Sequence, residues 1–353
     1  MKKIVKIFAV FAVLLTLSMS AYAGNDMRRG TAGATELLIN PWARNTGWGG
    51  VNVANVRGLE AMFSNVAGLA FVDNIEVAYT NTMLYGGKSG LNSGASINTF
   101  GIAVRLFERG VAGAYVMSMG FGDIDITKYL SPEGGNGTFS PAYMNINVAY
   151  AHSFTNTIHG AINFKMVSES IDNVSGSGFG IDAGIQYVTG EDDELKFGIS
   201  LKNWGPTMSF GGSGLSLQMI NTAGNNFTVE TRASEMQLPT CLNIGISYDF
   251  LFTTHDQRLT LAAAFTSNAF LRDNYTVGVE YSLLKMFQLR CGYIMQPGLW
   301  TAARATASNG LCAGASVDVP LSKVDNIGLT IDYSYQSASP MRGTHAIGAS
   351  FRF

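Results

Sequence analysis

Charge is scarce in this chain. Asp, Glu, Lys and Arg make up 14% of the 353 residues, where roughly a quarter is usual for soluble globular proteins. That shortage argues against an ordinary soluble enzyme. Lys and Arg number 23 against 25 Asp and Glu, so there is no positive excess to hold a nucleic acid. Past residue 23 no apolar run approaches the ~20 residues that a membrane-spanning helix needs, which excludes a helical membrane protein. There are three cysteines, Cys241, Cys291 and Cys312. An odd number leaves at least one unpaired, they fall in strand-like stretches, and with only four histidines no zinc spacing forms; any disulfide stays open. No G-x-S-x-G, Walker loop, H-E-x-x-H or complete G-x-G-x-x-G occurs, so neither an enzyme nor a cofactor is expected.

What is present is apolar content of 47%, 41 glycines and 11% aromatics. The apolar share excludes disorder. Few charges, many glycines and aromatics, and no long apolar run leave one membrane class, the β-barrel. The N-terminus agrees with export. Lys2, Lys3 and Lys6 precede an apolar stretch, Ile7 to Leu17, and Ala21-Tyr22-Ala23 is an A-x-A cleavage site, the order of a secretory signal peptide. Gly24 rather than Cys follows the cut, so no lipoprotein is suggested. Removing residues 1–23 takes away three lysines and leaves 20 basic against 25 acidic side chains, a charge of −5.

From Asn74 onward the sequence alternates with period 2 over nine or ten residues and then turns, the signature of membrane-crossing strands. Thr99–Leu106 sets Phe100, Ile102, Val104 and Leu106 against Thr99, Gly101, Ala103 and Arg105. Fourteen such segments begin near residues 74, 96, 111, 142, 157, 177, 194, 241, 258, 273, 287, 310, 326 and 343. The 280 residues from Asn74 to Phe353 give 20 per strand and connection, and the even count suits a closed bacterial barrel. Short links follow the even strands and longer ones the odd strands, the largest at Thr127–Pro141 and Phe210–Thr240. That alternation places both termini on the short-turn, periplasmic side. All eight prolines fall in or beside connections or before residue 74, as a residue without a ladder donor should. The expected architecture is an all-β, 14-stranded antiparallel outer-membrane barrel over residues 74–353.

With large apolar residues facing lipid, the other face lines the lumen. It carries Arg105, Lys165, Lys196, Lys202, Arg290 and Arg352 against Glu76, Asp182, Asp249, Glu280, Asp318 and Asp332. Six charges of each sign suggest internal pairing rather than a single-sign ion filter. Inward glycines and alanines leave room for a filling, and residues 24–73, too irregular for a strand and too long for a linker, are the expected plug. His159 should project inward beside Lys165 and Asn163. The glycine-rich Ser175–Gly180 reads as an outer hairpin loop, and Glu191-Asp192-Asp193-Glu194 as a solvated turn rather than a cation site.

Residues 37–70 carry a resemblance. Leu37-Leu38-Ile39-Asn40-Pro41-Trp42-Ala43-Arg44, Gly47-Trp48-Gly49-Gly50, Gly58–Phe63 and Asn65-Val66-Ala67-Gly68-Leu69-Ala70 resemble the N-terminal signature of the PorV/PorQ family, relatives of the FadL-type barrels. Val66 stands where that family usually has Pro, which puts the rigidity of that turn in doubt. Within the motif, Gly47, Gly49 and Gly50 permit close backbone packing, Asn65 and Gly68 suit a tight turn, and Arg44 completes the signature. These residues read as structural.

The resemblance implies an outer-membrane component of type IX secretion, engaging cargo through C-terminal sorting domains and passing it from translocon to the surface attachment complex. Its partners would be outer-membrane lipid, secreted cargo and other secretion components, with a lipid or detergent-like ligand in the lumen. The working parts would be the long connections, chiefly Phe210–Thr240, where Ser216–Ile220 and Phe227–Thr231 alternate and could offer a sheet edge. The second reading is FadL-like uptake of a hydrophobic small molecule, which calls for a pocket near the outer mouth and a kinked strand or shifting plug as the exit. The polar lumen tilts the sequence toward the cargo carrier.

Overall fold

The computed structural model describes residues 26–353 except 87–94, 223, 253–255, 302–303, 305 and 323–326. The proposed signal peptide therefore lies outside the described residues, as do parts of the turns after the eighth and twelfth strands. Fourteen long strands follow one another: β1 Ile75–Met83, β2 Ser96–Phe107, β3 Gly110–Gly120, β4 Ala142–Ser153, β5 Ile158–Ile171, β6 Val174–Thr189 and β7 Leu195–Trp204, then β8 Cys241–Phe252, β9 Gln257–Asn268, β10 Asn274–Leu283, β11 Phe287–Met295, β12 Ser308–Pro320, β13 Gly328–Ala338 and β14 Thr344–Arg352. Each pairs antiparallel with its sequence neighbours, and β14 closes on β1 with Tyr79 opposite Ala349. Along the paired stretches the backbone donors and acceptors thus find partners, the condition a sheet must meet in lipid.

The alternation decides which way the wall faces. In β5, Phe164 is 61% exposed while its neighbours Asn163 and Lys165 are 0% and 5% exposed. Phe100, Ile199, Leu289 and Ile347 point outward in the same way, and Thr99, Ser200, Arg290 and Ala346 point inward. An apolar outside around a polar inside is stable only where the outside meets hydrocarbon.

One connection differs from the sequence reading. The link after β5 is only Asp172-Asn173, with Asp172 at φ 48°, so β5 and β6 form one long hairpin of 14 and 16 residues. Ser175–Gly180 accordingly belongs to β6 rather than to a loop. Its small residues alternate with Phe179 on the lipid side, and the ladder to β5 continues through them, Ser177 opposite Ser168.

Residues 43–72 are almost wholly buried and follow the inner wall, meeting inward glycines on most of the strands. Gly47 lies against Gly314 of β12, Trp48 against Gly292 of β11, Val51 against Gly278 of β10, and Val53 against Gly245 of β8 and Gly198 of β7. Asn65 meets Gly184 of β6, Met62 and Leu69 meet Gly113 of β3, and Leu59 meets Gly101 of β2. A side chain at these wall positions would occupy space held by the backbone or core of the segment, which is why glycine stands there. Leu59, Met62, Leu69, Tyr115 and Tyr143 belong to the main hydrophobic cluster of the molecule.

The far end of this segment is not where the strand register puts the termini. The C-terminus and the start of β1 lie at the short-turn rim, Phe353 N–H bonding the Ile75 carbonyl. Ala32 and Gly33 instead reach the opposite rim, where Gly33 N–H donates to Gln237 O at 2.9 Å, within the long connection between β7 and β8. A lumen-threading segment can begin at one rim and end at the other, a freedom the strand count does not reveal.

Candidate functional site

The inward charges meet across neighbouring strands. Lys165 Nζ is 2.6 Å from Asp182, Lys196 Nζ 2.5 Å from Asp249, Arg290 Nε 2.5 Å from Glu280, and Arg352 2.6 Å from Asp318. Asp182 and Lys165 come from β6 and β5, diagonal neighbours two register positions apart on the same face, so the register itself brings them together. Asp332 takes Arg44 from the N-terminal segment at 3.1 Å and lies 3.9 Å from Arg290. Arg44 also reaches Glu60 at 3.6 Å, and burial pushes the Glu60 carboxyl up to about 8 against the pull of Arg44. Glu76 accepts the Leu59 N–H at 3.1 Å.

Arg105 meets backbone instead of an acid. Its guanidinium donates to the carbonyls of Ala70, Val72, Asp73 and Glu108, tying the end of the N-terminal segment to the short-turn rim. His159 is buried but far along β5 from Lys165: Nδ1 lies 2.9 Å from Ser153 Oγ and the ring packs 4.3 Å from Phe71. In the acidic turn Glu191, Asp192 and Asp193 are exposed. The Glu194 carboxylate accepts the Asp192 N–H at 3.0 Å, and backbone donors hold it below the usual range.

The signature residues have these places. Gly49 and Gly50 take φ of 67° and 74°, backbone that a β-carbon resists. A Cβ on Gly68 would stand 2.1 Å from Val56 O. Asn65 caps the 3₁₀ turn Val66–Phe71 by accepting from Ala67 N–H, while its amide donates to Val53 O and to Ile185 O of β6.

Between this segment and the wall lies a cavity of about 430 Å³ on the long-loop side. Its floor and one side are Leu38, Ile39, Val53 and Phe63, and the opposite wall is chiefly the amides and hydroxyls of β8 to β13, with Ile294 and Leu299 among them. Lys202 and Arg272 line it. The Lys202 ammonium sits 3.5 Å from the centroid of the Phe63 ring. Sequence reading placed Lys202 inward but offered no sign of Phe63, because the contact joins segments 139 residues apart.

The wall beside the cavity is irregular. Register between β6 and β7 slips between Ile181 and Ala183, where Asn203 adopts φ 58°. The strand then breaks at Gly205-Pro206, proline having no ladder donor, and pairing with β6 resumes at Ser209–Gly211. Buried polar groups staple the break: Asp182 accepts the Asn203 N–H at 2.7 Å, Lys165 Nζ donates to Asn203 Oδ1 at 2.7 Å, and Asn203 Nδ2 donates to Pro239 O at 3.0 Å. Outside the break is an apolar depression of about 680 Å³ formed by Val148, Phe164, Phe179 and Trp204, with Lys165 and Gly180 at its base. Above it, in the long connection, Ser216–Ile220 and Asn226–Glu230 pair as an exposed ribbon, Leu217 opposite Val229 and Met219 opposite Phe227.

No family model matches the chain, nor does any curated protein. Solved structures do match in fold. The deltaS2S3 mutant of TodX, a monoaromatic hydrocarbon channel, superposes with a TM-score of 0.55 at 12% identity, covering 88% of this chain and 97% of its own. A Pseudomonas aeruginosa FadL homologue gives 0.51 at 12% identity over 88% and 96%, and the P. putida toluene transporter TodX 0.51 at 11% over 84% and 94%. At these identities the likeness concerns architecture: the chain is a closed 14-stranded antiparallel barrel similar in fold to FadL-type outer-membrane proteins.

Proposed function

We propose that this protein is an outer-membrane channel for small hydrophobic compounds, exported by residues 1–23, with residues 24–73 as its lumen plug. The observation that carries this reading is the break in β7, which lies between a lumen cavity and an apolar depression on the lipid side. A compound entering from the long-loop mouth would lodge in the cavity. It would leave through the wall where the β6–β7 ladder is already interrupted, once the Lys165–Asp182–Asn203 staple parts. The fold likeness to a hydrocarbon channel and a toluene transporter supports the reading. The test is uptake of labelled toluene by cells whose own channels are deleted, with and without this barrel. No gain in uptake counts against it.

The resemblance of residues 37–70 to the PorV/PorQ signature supports a second reading, a cargo carrier in type IX secretion. The exposed ribbon with Leu217, Met219, Phe227 and Val229 on one face is the observation in its favour, since an apolar ribbon can take up a partner strand. Affinity purification from detergent-solubilised outer membranes separates the two. Secreted proteins sharing a C-terminal β-domain would establish the carrier, and a barrel free of protein partners would remove it.

A further inference from the structure

We propose that the lumen cavity is a site for a small organic anion, a carboxylate on a compact apolar body such as an aromatic acid, with Lys202 as its charge anchor. The inference rests on the channel reading above and narrows its substrate class.

Three observations carry it. Lys202 is 94% buried and lines the cavity together with Phe63, on whose ring its ammonium sits. Cys241 stands opposite it in the ladder, and among the described residues no carboxylate lies within ion-pair distance of it. The nearby acid is already engaged: Asp182 receives Lys165 at 2.6 Å, Asn163 Nδ2 at 3.0 Å and Asn203 N–H at 2.7 Å. The other inward lysines, Lys165 and Lys196, each have a carboxylate within 2.6 Å. A buried charge without a counter-charge is costly, and an aromatic face compensates only in part.

The second observation is the composition of the lining. It includes the Lys202 ammonium, a set of amides and hydroxyls and, among the described residues, no Asp or Glu. Elsewhere in this lumen the two signs pair closely, so a lining without a carboxylate around the buried Lys202 stands out. The third is size and shape. About 430 Å³ falls low in the roughly 300–1,000 Å³ range of small-molecule sites. The apolar side formed by Leu38, Ile39, Val53 and Phe63 faces the polar wall. An anion whose ring lies on the first and whose carboxylate meets Lys202 satisfies both. A long acyl chain exceeds the space, and a plain hydrocarbon leaves the ammonium as it is.

Binding has a mechanical consequence. The ammonium now rests on Phe63, which belongs to the helical turn Ala61–Ser64 of the N-terminal segment. A carboxylate competes for that ammonium, so occupancy loosens one of the contacts that hold the segment to β7.

The experiment uses the full detergent-solubilised barrel, with toluene, benzoate and benzylammonium as probes in titration calorimetry. Benzoate should bind at least tenfold more tightly than toluene, and benzylammonium more weakly than either. Lys202→Met should lower benzoate affinity roughly tenfold to a hundredfold, the range for a charge-assisted contact, with toluene affinity unchanged. Asn243→Asp, which puts an acid into the lining without changing its shape, should weaken benzoate as well and serves if Lys202→Met does not fold. Toluene binding as tightly as benzoate, or variants with wild-type preference, overturns the anion site and leaves the channel reading intact. Binding of neither probe overturns both.

Discussion

The carbonyl oxygen of Trp48 lies directly under Gly292: a Cβ on that glycine would stand 2.1 Å from it. Gly292 is registered opposite Gly278, whose own Cβ would meet the Val51 side chain at 2.7 Å. The same close approach recurs on β7, where a Cβ on Gly198 would come within 2.3 Å of Val53 O. The inner wall is bare at those heights because the N-terminal segment occupies the space.

Gly292→Val and Gly198→Val should therefore expel the segment or prevent the barrel from closing around it. Limited proteolysis should cut within residues 43–72 of any variant that still shows the heat-dependent gel shift of a folded barrel. Gly120→Ala, at the end of β3 where nothing lies within 4 Å of the new atom, should behave as wild type. Protection of the segment in Gly292→Val would contradict this account.

Removing one partner of a buried ion pair leaves the other uncompensated. Asp182→Ala should destabilise the barrel by about 3–5 kcal/mol, because it strands Lys165 in the wall. It also frees the Asn203 backbone N–H that the carboxylate accepts. The double variant with Lys165→Met should regain much of the loss. Urea unfolding midpoints in phospholipid vesicles report both, and an unchanged midpoint for the single variant would show that the staple contributes little.

Glu60 should make the protein pH-sensitive. Its folded pKa of about 8 lies above the ordinary value of 4.5, so the folded state holds a proton that the unfolded chain releases. That contribution is complete below about pH 4.5 and is lost as pH rises through 8. Glu60→Gln removes the dependence, so the variant should gain on wild type between pH 5 and pH 8. Unfolding midpoints at the two pH values check this; a gap that narrows as pH rises has the wrong sign.

The path of the N-terminal segment predicts accessibility. Arg28 reaches the long-loop rim, its guanidinium 2.7 Å from Gln237 Oε1 and 4.1 Å from the Phe270 ring centroid. With Cys291 replaced by Ala, Arg29→Cys should react with a membrane-impermeant maleimide on intact cells, whereas Thr157→Cys in a short turn should react only after lysis. The reverse pattern would turn the barrel over.

Much of the wall was legible because its physics is local. Alternation at period 2 in Thr99–Leu106 or Tyr275–Leu283 sets side-chain direction residue by residue, and proline marks where ladders stop. The same pattern led astray where small residues blur it: Ser175–Gly180 reads as loop chemistry but continues β6, held by its ladder to β5. The candidate site was far less legible. Lys202 could be placed inward from its neighbours in β7, yet nothing adjacent announces that Phe63 covers it while Asp182 serves Lys165.

The sequence by itself determined the class of the protein, the number of its strands and which side chains face lipid, since those follow from composition and from spacing along one strand. Only the tertiary structure decided which inward charges pair, where β7 breaks, and that the N-terminal segment runs from rim to rim against a line of glycines. Those outcomes depend on contacts between residues far apart in sequence, and strand periodicity carries no information about them.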